Sequence, residues 1–124
     1  MKILVVDDEQ DVQMLFQQRF RKEIKSGALN FVFAFSGEDA LKVMNSMQHE
    51  AVLILSDINM PGMSGLDLLE KIKKDFVKPP PGVMMITAYG DEENRSTAKR
   101  LGADDFLTKP LDFTLLKSKL TTLT

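Results

Sequence analysis

At 124 residues the chain has length for one compact domain with a single substantial core. Its 44% hydrophobic and 27% charged residues are a globular composition, and a net charge of -2 with no dense Lys/Arg run gives no reason to expect nucleic acid or an anionic membrane as partner. Without cysteine, disulfides and thiolate metal sites are excluded; with no signal-peptide core and no run of spanning length, the expectation is a soluble, cytoplasmic single domain over 1–124.

The first apolar run, KILVV (2–6), predicts a strand that stops at an acidic DDE. Val12, Leu15, Phe16, Phe20 and Ile24 then share one face, which predicts one long helix ending at Gly27. The Phe-rich FVFAF (31–35) predicts the second strand. Ser36 with Asp39 has capping-box spacing and opens a helix with Ala40, Leu41, Met44 and Met47 inward. His49 stands in a polar turn with no second metal ligand in view. VLILS (52–56) predicts the third strand, and Ser64 with Asp67 repeats the cap ahead of Leu66, Leu69 and Ile72. KPPPG (78–82) reads as a stiff connection to the fourth strand, VMMIT (83–87), in preference to a polyproline-type ligand. Asp91 and Asp112 are N-caps for the last two helices, Gly102 stops the first of these, and DFLT (105–108) is the fifth strand. Five β-α repeats predict a parallel sheet with helices on both faces. The continuously apolar runs at 3–6, 52–55 and 83–86 suit strands buried on both sides.

In such a sheet, ligands bind beyond the C-terminal strand ends, where the winding reverses. Asp7 and Asp8, Asp57, Thr87, and Lys109 with Pro110 stand at those ends. Each has an ordinary reading as a cap or turn residue. Together, three carboxylates on adjacent strands repel one another by about a kcal/mol per pair even in high dielectric. Such a cluster calls for a cation or a retained proton. All-oxygen ligands favour a hard ion, Mg²⁺ before Ca²⁺. Lys109 and the Thr87 hydroxyl could hold phosphoryl oxygens, and a carboxylate beside Mg²⁺ can attack phosphorus to give an acyl phosphate. Asp57, with a rigid loop behind it, is the best acceptor.

Taken in order, VVDDE, SDINMPGMSG, MITAYG and FLTKP resemble the motifs of the receiver domain of bacterial two-component response regulators, and the resemblance covers essentially the whole chain. With the five repeats, it implies a doubly wound (βα)5 α/β fold, a flavodoxin-like three-layer sandwich with parallel strands in order 2-1-3-4-5. It implies that Asp57 is phosphorylated by a sensor histidine kinase or phosphotransfer protein. Mg²⁺ would be bound by Asp57, by Asp8 directly, by the Asn59 backbone carbonyl and by Asp7 through water. Lys109 would pair with the phosphoryl group, and the Lys109-Pro110 bond would be cis. Thr87 and Phe106 match the switch pair. Phe106 lacks a tyrosine hydroxyl, and a plain core role is its other reading. Asn59 and Tyr89 would modulate the lifetime of the phosphorylated state.

The implied output runs to the face of the fourth helix, fifth strand and fifth helix, which would meet an output domain or protein or a second copy of the chain. The fourth helix, with only Ala98 and Leu101 as apolar anchors, suits a mobile element. The first helix looks longer than is usual for the family. The chain would assist its own phosphorylation and dephosphorylation without acting as an enzyme. Alternatives are the N-terminal receiver of a longer protein, a phosphate-independent docking domain, and an aspartate-nucleophile phosphatase. The last would need a second acid where Asn59 stands. A flavodoxin-like binding module would need a phosphate loop where DDEQDV stands.

Overall fold

The computed structural model describes residues 1–47, 53–76, 81–88 and 90–123. The elements run β1 (Lys2–Val6), α1 (Asp11–Arg19), α2 (Arg21–Ser26), β2 (Asn30–Ala34), α3 (Gly37–Met47), β3 (Leu53–Asp57), α4 (Gly65–Asp75), β4 (Gly82–Thr87), α5 (Glu92–Arg100), β5 (Asp105–Thr108) and α6 (Phe113–Leu123). The strands form one parallel sheet in the expected order 2-1-3-4-5. The winding reverses between β1 and β3, so the crevice lies beyond Val6 and Asp57.

Strand alternation divides the core into two layers. Leu4, Val6, Ile54, Val83 and Met85 meet α3, α4 and α5 through Ala40, Met44, Leu68, Leu69, Ile72 and Ala98. Ile3, Val5, Leu53, Leu55, Met84 and Ile86 meet Phe16, Phe20, Leu116 and Leu120 on the opposite side.

The capping expectations fare well. Ser64 and Asp67 make a complete box, while the Ser36, Asp91 and Asp112 side chains accept from the N–H groups of Asp39, Asn94 and Leu115. Gly27 and Gly102 take positive φ at helix ends, 82° and 103°, where a Cβ would be strained.

Three expectations need correction. The single first helix is broken at Phe20 (φ -109°, ψ 25°). Its hydrogen bonds continue through the break, from Phe20 N–H to Phe16 O and from Ile24 N–H to Phe20 O. The Phe20 ring is held against Phe16, Phe31 and Phe113, which tips the following turn. Leu15 does not join the buried face and is 42% exposed beside Met14 at 63%, because Phe16 next to it fills the space over the sheet. The second strand starts at Asn30, whose N–H pairs with Met1 O, and the third continues to Asp57, its expected first residue, Val52, falling outside the described residues. His49, the start of KPPPG and Tyr89 fall outside the described residues. Among the described residues no helix is long and apolar enough to cross a membrane.

Candidate functional site

β3 is buried along its whole length, and Asp57 is its last residue. The apolar strand thereby carries a carboxylate into a place that is 6% exposed. From β1 come Asp7, 4% exposed, and the exposed Asp8. The three carboxylates each offer an oxygen within 4.8 Å of the others.

The loop after Asp57 is fixed by its backbone. Ile58 N–H donates to Ile86 O at 3.2 Å and Gly65 N–H to Ile58 O at 2.7 Å, while Asn59 N–H donates to the Asp57 carboxylate at 3.4 Å. Any Cβ at Gly65 would run into the Asp57 carbonyl and lie 2.7 Å from Ile58 Cα. Only glycine lets the start of α4 close on the strand end, which accounts for Gly65 so soon after the acid.

The Lys109 ammonium lies 2.7 Å from Asp57 Oδ2 and 3.8 Å from Asp7 Oδ2. Burial disfavours its charge, but the hydrogen bond and charge of Asp57, with the charges of Asp7 and Glu9, hold its pKa above the ordinary lysine value. Burial pushes the Asp7 carboxyl up, aided by the charges of Asp57 and Glu9 and opposed by the Glu9 N–H bond and Lys109. One ammonium among three carboxylates leaves the pocket rich in negative charge, and its donor set suits a hard divalent ion. The Lys109-Pro110 peptide is cis.

Thr87 ends β4 and is 2% exposed. It borders a cavity of about 210 Å³ shared with Asp91, Arg95 and Thr108. Phe106 pairs with Met85 in register, two residues before Thr87, so it shares the α5 side of the sheet. Phe106 is half-buried. Backbone joins these residues to the acids, since Lys109 N–H donates to Thr87 O at 2.9 Å.

Three features escaped the sequence reading. Glu9 donates its N–H to Asp7 Oδ1 at 2.9 Å, and the Arg95 guanidinium sits 4.9 Å over the Phe106 ring. A groove of about 620 Å³ runs beside the acids between Val12, Leu15, Lys109, Leu111 and Phe113. An apolar Leu15 three residues after Val12 was the one available hint of that groove.

Residues 3–121 match the family described as the response regulator receiver domain, and the chain belongs to it. It is 34% identical over 111 residues to the transcriptional regulatory protein CpxR of Escherichia coli, covering 90% of this chain and 44% of that protein. It is 31% identical over 121 residues to a cyclic di-GMP phosphodiesterase of Thermotoga maritima, covering 98% of this chain and 30% of that one. Among solved structures, a response regulator receiver domain protein from Clostridium thermocellum superposes with a TM-score of 0.83 at 27% identity, over 98% of this chain and 91% of that one. The chain therefore spans less than half the length of these curated relatives. Receiver domains are phosphorylation-dependent signalling switches that bind Mg²⁺, and the acidic trio offers the oxygens such an ion takes.

Proposed function

We propose that residues 1–124 form a single switch domain whose Asp57 accepts a phosphoryl group from a histidine kinase or phosphotransfer protein. The supporting observation is a strand-end carboxylate, buried, 2.7 Å from an ammonium and within 4.8 Å of two further acids. An Asp57 oxygen attacks phosphorus, the O–P bond forms, and the N–P bond to the donor imidazole breaks with its electron pair leaving on nitrogen. Asp8, Asp57 and the Asn59 carbonyl would hold Mg²⁺ directly, with Asp7 acting through water. Bound there, the ion supplies charge neutralisation at the phosphoryl oxygens. Lys109 exchanges its contact with the carboxylate for one with a phosphoryl oxygen. Its backbone bond to Thr87 passes the shift to that hydroxyl and to Phe106, and so to the face of α5, β5 and α6.

The apolar groove beside Asp7 and Lys109 gives a donor protein surface to rest on. The output on the α5–β5–α6 face is a domain or protein, or a second copy of the chain. Relatives of which this chain spans 44% and 30% favour a second reading, the regulatory receiver of a longer protein. As a switch, the domain promotes its own phosphorylation and dephosphorylation and turns over no external substrate.

Intact mass after incubation with acetyl phosphate and Mg²⁺ tests this. The expected result is one phosphoryl adduct per chain, lost in Asp57→Asn and with a chelator. No adduct on a folded, Mg²⁺-binding chain would overturn the reading in favour of phosphate-independent docking. Continuous turnover of a phosphomonoester would favour a phosphatase.

A further inference from the structure

We propose that Glu38, in the first turn of α3, is a positioning residue for the loop behind Asp57. It holds residues 59–63 in the shape that sets Mg²⁺ affinity and the lifetime of the acyl phosphate. The proposal rests on the acceptor reading of Asp57 and adds a residue 19 positions upstream of it.

The loop is pinned to the sheet at both ends, through Ile58 N–H to Ile86 O and Gly65 N–H to Ile58 O. Its far side reaches α3. Met63 N–H donates to Glu38 Oε1 at 3.2 Å, across 25 residues of sequence. Glu38 Oε2 lies beneath Gly62, where a Cβ would stand 3.1 Å from it, and Gly62 takes φ +75°. The carboxylate thus spans the Gly62–Met63 peptide. One residue earlier in α3, a Cβ at Gly37 would lie 2.9–3.0 Å from the Met63 side chain. Met63 in turn packs against the core layer under α3 and α4. Residues 37 and 38 therefore clasp the loop at two points, one by contact and one by a charge-assisted hydrogen bond.

The consequence concerns Asn59. It lies two residues from Asp57 and four from the clasp, and it contributes a backbone carbonyl to the proposed metal site. A loop free to explore other shapes must be ordered each time the ion binds; a clasped loop is already ordered. Glu38 is exposed and touches no part of the acid cluster, so its action is through the loop alone. Loss of one such hydrogen bond corresponds to about a three- to tenfold change in binding.

Glu38→Ala and Glu38→Gln separate the strap from simple charge, because glutamine keeps an acceptor oxygen at the same reach. Three quantities are measured: calorimetric Mg²⁺ affinity, amide hydrogen exchange of residues 59–63 in the metal-free protein, and decay of the phosphorylated chain. Glu38→Ala is expected to weaken Mg²⁺ binding about three- to tenfold, speed exchange at 59–63 and change the decay rate, with its melting temperature within about 3 °C of wild type. Glu38→Gln is expected to return all three to within about twofold. Unchanged Mg²⁺ affinity and exchange in Glu38→Ala would overturn the proposal, and so would a glutamine variant as impaired as the alanine one. A wild-type chain that takes no adduct would instead overturn the acceptor reading, and metal-free exchange would still decide whether the clasp exists.

Discussion

The two faces of the sheet are built differently. Against α1, α2 and α6 the layer is aromatic: Phe16 lies 5.2 Å from Phe113, 5.4 Å from Phe31 and 6.1 Å from Phe33, and Phe20 lies 5.2 Å from Phe31. Against α3, α4 and α5 the layer is mainly aliphatic and rich in methionine, with Phe76 and Phe106 as its rings, and α5 buries a single residue, Ala98. Asp57 alternates with Leu53 and Leu55 on the aromatic side, whereas Thr87 alternates with Val83 and Met85 on the other. The carboxylate thus lies on the side of the aromatic layer, and the hydroxyl on the side of α5, which buries only Ala98. Lys109 touches both, by its ammonium to Asp57 and by its N–H to Thr87. A densely packed floor can hold a carboxylate in register, and a helix with few buried contacts can answer a small change in charge.

The most severe way to break this contrast is to hollow out the aromatic layer. Phe16 has no exposed surface and four ring partners. Phe16→Ala is expected to cost about 3–5 kcal/mol, measured by urea unfolding. Ala98→Gly on α5 is expected to cost only about 1 kcal/mol. Equal losses would mean that α5 is as firmly held as the opposite face, and the division of labour would fail.

How far this was legible depends on the kind of force involved. Parallel strands, caps and the convergence of Asp7, Asp57, Thr87 and Lys109 on one edge follow from hydrophobic period and strand ends, both of which are local. The break at Phe20 was not legible, since the residues that force it, Phe31 and Phe113, come from other elements. Leu15 misled because a 3.6-residue period gives a face only to within about one residue, and the bulk of Phe16 decided which neighbour was buried. Leu68, fully buried in α4, was passed over for the same reason. The Glu38–Met63 and Arg95–Phe106 contacts pair side chains with distant partners, and nothing local marks them.

Arg95 supplies the sharper test of the loose face. Phe106 has no hydroxyl to hydrogen-bond, yet its ring is covered by the Arg95 guanidinium at 4.9 Å. An exposed cation over a ring contributes about 0.5–1 kcal/mol, a sizeable share of what holds a helix with one buried side chain. Arg95→Ala is expected to speed amide exchange along residues 90–108 and leave α1 unchanged. Uniform acceleration over both faces would mean that the substitution had weakened the whole domain, and the ring contact would not be a local fastening.

The smallest expected effect lies on the other side of the sheet, at its β5 edge. Lys119 of α6 reaches Asp105 at the start of β5, at 2.7 Å. Burial raises the Asp105 carboxyl, but the Lys119 hydrogen bond, the Phe106 N–H and the charges of Lys119 and Arg95 outweigh it and set the pKa below the ordinary 3.8. For a carboxyl lowered in the folded state, the stabilisation is present above the unfolded value and is lost as the pH falls through the folded one. Lys119→Ala should therefore cost about 0.5 kcal/mol near neutrality, with the difference from wild type closing in acid and shrinking in about 1 M salt. A loss independent of both pH and salt would assign the contact to the packing of the lysine stem. The pair would then fasten the α6–β5 edge by burial, as the rings fasten the rest of the aromatic side, and charge would contribute nothing there.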